Sequence, residues 1–252
     1  MSTALFYENP RPLDAVRDAD LRVREITDLG FAREANTIPI NLVEFSQVAR
    51  HYPIGFVGEA ALPTAIVGLQ KENLFVDNEG AWRPGVYVPA FVRRYPFIFA
   101  ETDDVDQFTL CIDDDPRAVS LAEGRPLFQN GQAAPLINQA LEFCRSFQVA
   151  ARETDAFVRA IKKSGILVER KAETRLAAGA SFTLAGFQSV DPDRLRKLPA
   201  RTLALWNEKN WLAPIFIHLQ SMTNWNDLME LIPSVQAGKA EKVIKSQKAK
   251  VN

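Results

Sequence analysis

Residues 136–163 read LINQALEFCRSFQVAARETDAFVRAIKK, and their spacing decides the fold. Ile137, Ala140, Cys144, Phe147, Ala151, Thr154, Val158 and Ile161 recur at steps of three and four, the period at which side chains share one face of an α-helix. Pro135 suits the first turn, where its missing N–H costs nothing. Lys162 and Lys163 complement the negative end of the helix dipole, and Gly165 can take the left-handed turn that stops it. One long helix with a single apolar stripe needs a layer to cover that stripe.

Upstream, the texture is that of strands. Short apolar runs at Ile54–Val57, Thr64–Leu69, Leu74–Val76, Tyr95–Ala100 and Phe108–Ile112 are separated by Gly58, Pro63, Asp77-Asn78-Glu79-Gly80 and Asp103-Asp104. This spacing predicts a mostly antiparallel sheet. Val88–Arg94 reads as a helical turn between two of these strands. Nearer the start, Leu21–Ile26 alternates like a half-exposed strand, and Ile40–Arg50 reads as a short helix capped near Asn41. Gly and Pro mark a linker from Ala122 to Pro135. Downstream, Ile166–Arg170 or slightly more and Ser181–Val190 form a hairpin about Ala177-Ala178-Gly179. Asp191 caps a helix with Pro192 at its first position, Pro199 ends it, and helices follow at 200–207 and 211–231.

The expected fold is α+β: a mainly antiparallel sheet in the N-terminal half packed on a long central helix, with a smaller C-terminal α+β part. The chain reads as one domain over 1–252. Two lobes are the alternative division, a β-rich one over about 1–130 and a helix-hairpin-helix one over about 135–235. The tail 237–252, with Lys239, Lys242, Lys245, Lys248 and Lys250, reads as a basic, fraying end.

Charge and cysteine content narrow the function classes. Thirty basic against thirty-one acidic residues give a net charge of −1, so no global attraction to nucleic acid or anionic membrane is expected. Cys111 and Cys144, two cysteines without a CxxC motif, read as buried thiols rather than a disulfide scaffold. The opening residues lack a basic region followed by an apolar run, and no apolar stretch reaches the ~20 residues of a membrane span. A cytoplasmic protein without membrane insertion is the expectation.

Motifs for chemistry are sparse. The two histidines, His51 before Tyr52-Pro53 and His218 within Phe216-Ile217-His218-Leu219, read as structural. No paired ligands of a metal site occur, and neither a GxGxxG nor a GxxxxGK[ST] loop is present, so no metal and no cofactor are expected. Asp113-Asp114-Asp115 and Glu101, Asp103, Asp104 and Asp106 read as solvated turns. The richest constellation is Trp82, Tyr87, Phe91, Arg93, Arg94, Tyr95 and Phe97. Arginine beside aromatic rings suits a carboxylate-bearing or peptide ligand; the alternative is a helix-to-strand corner whose aromatics fill the core. Two adjacent arginines cannot both be buried without partners, so one is expected outside or tied to a carboxylate such as Glu72 or Asp77. Trp206, Trp211 and Trp225, with Asn207, Asn210 and Asn226 beside them, are a second candidate, either a partner interface or a core corner.

The run Glu72-Asn73-Leu74-Phe75-Val76-Asp77, then Gly80-Ala81-Trp82, then Tyr87-Val88-Pro89-Ala90-Phe91-Val92-Arg93-Arg94-Tyr95-Pro96-Phe97, resembles the signature of the SapC family. Leu184-Ala185-Gly186-Phe187, Leu195-Arg196-Lys197-Leu198 and Ile217-His218-Leu219-Gln220-Ser221 resemble its closing pattern. The likeness runs from Tyr52 through Leu231. At Ala177-Ala178-Gly179 the chain lacks the Asp that the family pattern has before the glycine, which bears on the hairpin turn alone. The resemblance implies a pathway shared with outer-membrane receptors and with oxygenases acting on peptides or halogens; it brings no catalytic residue set. The function expected is a non-catalytic binding or adaptor protein for a peptide, protein or carboxylate ligand, working through Trp82–Phe97. An enzyme acting on a peptide-derived substrate, with Arg93 or Arg94 orienting a carboxylate, is the alternative. A surface-layer structural component is a second one.

Overall fold

Residues 5–101, 108–175 and 181–232 are described by the computed structural model. In chain order the strands are β1 (Pro10–Pro12), β2 (Arg22–Val23), β3 (Thr37–Pro39), β4 (Ile54–Val57), β5 (Leu62–Ile66), β6 (Phe97–Glu101), β7 (Phe108–Asp113), β8 (Val119–Ser120), β9 (Arg125–Pro126), β10 (Phe128–Gln129), β11 (Gln132–Ala133), β12 (Leu167–Arg175) and β13 (Ser181–Val190). The α-helices are α1 (Phe45–Val48), α2 (Ala90–Arg93), α3 (Pro135–Ser164), α4 (Pro192–Arg196), α5 (Ala200–Glu208) and α6 (Leu212–Ser221), and residues 225–232 are also helical. Antiparallel sheets with a long central helix make the class α+β, as expected. Asp103, Asp104 and Asp106, the turn Ala177-Ala178-Gly179 and the tail 237–252 lie outside the described residues.

The long helix starts with Pro135 in its first turn and stops at Gly165, whose φ of 72° only glycine adopts without strain. Its apolar stripe serves two cores. Leu136, Ile137, Ala140 and Cys144 enter the larger one, and Phe157, Val158 and Ile161 enter a smaller one with Trp206 and Ile215. A straight helix drifts about 20° per heptad against a 3.5-residue repeat, so one stripe cannot face one neighbour for 30 residues. Ala150 rather than Ala151 is buried between the two cores, and Phe157 is buried beside Val158.

The largest sheet has the order β12-β13-β4-β5-β3, every pair antiparallel, and so joins the C-terminal hairpin to strands near the start of the chain. A second sheet, β1-β7-β6, and a third, β8-β2-β9, complete the layer beside the first half of α3. Three expected strands differ from what their composition suggests: Thr64–Leu69 is found as β5, starting at Leu62 with Pro63 paired to Phe56 and ending at Ile66. Leu21–Ile26 pairs only at Arg22 and Val23, and Leu74–Val76 makes a single bridge from Val76 to Trp82. Asp191 caps α4 as expected, accepting the N–H groups of Asp193 (2.8 Å) and Arg194 (3.1 Å).

The junction of β13 and β4 is held by a histidine. Their ladder pairs Phe187 with Val57 and Gln188 with Phe56, and the same register carried on puts Val190 opposite Ile54. There His218 of α6 stands between the strands. Its Nε2 accepts the Val190 N–H at 3.0 Å and its Nδ1 donates to the Ile54 carbonyl at 2.9 Å. The ring is fully buried, and burial pushes its pKa down to about 4. It is thus a neutral imidazole replacing a ladder hydrogen bond. Ser221 adds a second tie, its Oγ accepting the Ile54 N–H at 3.0 Å.

Candidate functional site

The segment from Trp82 to Phe97 is hung on two buried polar groups. Tyr52, without exposure, donates its hydroxyl to the Tyr87 carbonyl at 2.6 Å and accepts the Trp82 Nε1–H at 3.0 Å. Glu44, 4% exposed, accepts the Ala90 N–H (2.7 Å) and the Tyr87 hydroxyl (3.1 Å) on one oxygen and the Asn41 N–H (3.0 Å) on the other. Asn41-Leu42-Val43-Glu44 has the spacing of a helix capping box, the one local signal that this carboxylate turns inward. The Tyr87 hydroxyl in turn accepts from Arg93 Nη2 at 3.1 Å, and Arg93 Nε donates to the Val88 carbonyl at 3.0 Å. Burial and then the Glu44 charge raise the Tyr87 pKa, keeping that hydroxyl protonated. Trp82 and Tyr87 therefore position the segment, and Arg93 lies on its exposed side.

The two arginines part company. Arg93 is exposed, its guanidinium 5.5 Å from both the Tyr87 and Phe143 ring centroids. Arg94 is 6% exposed and packs against three rings, Phe91 at 4.1 Å, Phe147 at 4.7 Å and Tyr7 at 5.5 Å. Burial lowers its pKa, yet a guanidinium stays charged, and the negative ring faces offset part of its lost hydration. Tyr95 turns the other way, its hydroxyl donating to Asp115 at 3.0 Å while its ring lies 4.4 Å from that of Phe31.

Beside this segment a groove of about 710 Å³ opens. Arg93, Arg94 and Tyr95 form one wall, Gln139, Phe143 and Cys144 of α3 another, and Arg24, Glu25 and Arg125 the rim. Arg24 is ion-paired with Glu123. Arg125 is exposed, and its side chain makes no hydrogen bond or ion pair among the described residues. Among the described residues, four guanidinium groups against one carboxylate make the groove cationic. Burial pushes the Cys144 thiol up to about 11, although the Arg94 charge pulls the other way. That thiol is protonated near neutrality and a poor nucleophile.

Other sequence candidates lie elsewhere. Asp113, expected in a solvated turn, is fully buried and accepts the Asn9 N–H (2.6 Å) and Glu8 N–H (3.3 Å), fixing the chain's first segment. Asp114 pairs with Arg11 at 2.8 Å, and Asp115 with Arg117 at 2.5 Å. These three carboxylates are thus engaged separately, and no metal-holding cluster occurs among the described residues. His51 is half-buried, and burial and Arg50 lower its pKa, which favours the neutral ring. Trp206 and Trp211 belong to the smaller core, the latter 6.1 Å from Phe157. Trp225 packs instead on Phe187, 5.4 Å away, at the larger one. Arg24, Glu25, Arg125 and Phe143 were not legible as site residues, because segments a hundred positions apart supply the groove.

Comparison with the curated proteins and with the solved structures found no match. No described helix is long and apolar enough to cross a membrane. The SapC family model matches residues 13–228, which takes in every wall of the groove, and the chain belongs to the SapC family.

Proposed function

We propose that the protein is a binding or adaptor protein whose groove takes a peptide or protein segment through its carboxylate. The observation that carries this reading is that Arg93 and Arg125, both exposed and neither paired with a described carboxylate, line one groove. A guanidinium offers a planar fork of donors matched to a carboxylate, and such charge-assisted bonds are about twice as strong as neutral ones. Tyr87 and Glu44 hold Arg93 from behind, so less side-chain freedom is lost on binding. Phe143 beside it supplies an apolar face for the residue next to the carboxylate. A net charge of −1 supports a partner other than nucleic acid, and the two buried free thiols are in keeping with a cytoplasmic setting.

The experiment is a library of immobilised peptides, each presented as a free C-terminal acid and as its amide. It is probed with wild type and with the Arg93→Ala/Arg125→Ala variant. The expected result is a subset of sequences held as acids, lost on amidation and lost again in the variant. Retention indifferent to both changes, or no retention of any acid, overturns the reading.

A further inference from the structure

A second cavity, of about 620 Å³, lies in the C-terminal part, between the β12–β13 hairpin and the helical stretch from Leu219 to Met229. Its floor is Phe187, Leu219, Met222, Trp225 and Met229. None of these five is exposed, yet all line open space. The two methionines are unbranched and polarisable, so such a floor adapts to a flexible apolar chain better than a β-branched one. The volume lies within the roughly 300–1,000 Å³ of small-molecule sites.

The mouth carries two adjacent cations, Arg170 and Lys171. Consecutive residues of a regular strand point to opposite faces. The ladder slips between Arg170 and Ala172, where β13 carries the extra residue, Ala185 and Gly186 (φ of 81°) together facing Lys171, and a bulge raises the local twist of the pair. Both residues line the one opening. Arg170 is steadied by its Nε donating to the buried Ser189 hydroxyl at 3.0 Å. Lys171 is exposed, and its side chain makes no hydrogen bond or ion pair among the described residues. Of the described carboxylates nearby, Glu169 accepts from Gln188, and Asp191 caps α4 while its charge also attracts Arg170, so Lys171 is the cation left to a ligand. Among the described residues the lining holds no acid.

An apolar floor under two cations fits one kind of occupant. We propose that this cavity binds an unbranched alkyl carboxylate, its chain on the methionine-rich floor and its head between Arg170 and Lys171. The site is separate from the arginine groove and does not depend on it.

Calorimetric titration of the intact protein with octanoate, decanoate and dodecanoate, each below its micelle concentration, tests this. The expected affinity rises about fourfold per added methylene, the value of burying one CH₂. Lys171→Glu, at an exposed and unpartnered position, should weaken decanoate at least tenfold while leaving decan-1-ol unchanged. Arg93→Ala/Arg125→Ala should leave decanoate unaffected, which keeps this proposal apart from the groove. Binding independent of chain length, decanoate binding unmoved by Lys171→Glu, or no binding of dodecanoate overturns it.

Discussion

Replacing His218 with alanine strips the β13–β4 junction of the two atoms that bridge it. The Val190 N–H and the Ile54 carbonyl, both in buried backbone, are left without partners. An orphaned buried group costs about 1–3 kcal/mol, so the pair costs roughly 2–6 kcal/mol, before any cavity left by the ring. Acid acts on the same bond in wild type. The imidazole titrates near 4 when folded, because burial excludes its charged form, and near 6.5 when unfolded. Between these values the unfolded chain holds a proton that the folded chain lacks. Stability therefore rises with pH across that window and falls on acidification. The gap corresponds to a loss of about 2 kcal/mol by pH 5 and about 3 kcal/mol by pH 4. His218→Ala has nothing there to protonate. Urea denaturation of both proteins at pH 7 and pH 5, followed by tryptophan fluorescence, should show wild type more stable at pH 7 and its advantage smaller by about 2 kcal/mol at pH 5. An advantage of equal size at both pH values refutes the neutral, bridging imidazole.

The adjacent arginines should behave oppositely. Arg93→Ala, at an exposed position, should change stability by less than about 1 kcal/mol, whereas Arg94→Ala opens a gap among three rings and should cost about 2–4 kcal/mol; denaturant midpoints at constant slope measure both. Tyr52→Phe leaves the Trp82 Nε1–H and the Tyr87 carbonyl without that hydroxyl and should cost about 1–3 kcal/mol in the same assay. Cys111 and Cys144, buried and with raised pKa values, should resist an aromatic disulfide reagent at pH 7.5 in the folded protein and react together in urea.

What the sequence discloses follows the range of the interaction. The long helix, its Pro135 start and Gly165 stop, the Asp191 cap and the short helix at Ala90–Arg93 rest on neighbours within four residues, and each is found. Leu74–Val76 has a strand's composition, but sheet pairing needs a partner, and only Trp82 bridges to it. A buried Arg94 runs against the expectation for a guanidinium; its ring partners Tyr7 and Phe147 lie 87 and 53 positions away and leave no local trace. The same holds for His218, whose partners Ile54 and Val190 sit on two strands distant from it. The constellation from Trp82 to Tyr95 was legible as a cluster, though not as a division of labour in which Trp82 and Tyr87 hold, Arg94 packs and Arg93 faces the groove.

The most direct test of the groove is a calorimetric double-mutant cycle on one peptide retained in the library screen. Wild type and Arg93→Ala are each titrated with the free acid and the amide of that peptide. If the carboxylate meets Arg93, amidation weakens wild type at least tenfold, weakens the variant little, and the coupling exceeds about 1 kcal/mol. If amidation weakens both proteins equally, the carboxylate is read elsewhere and the assignment of this groove is wrong.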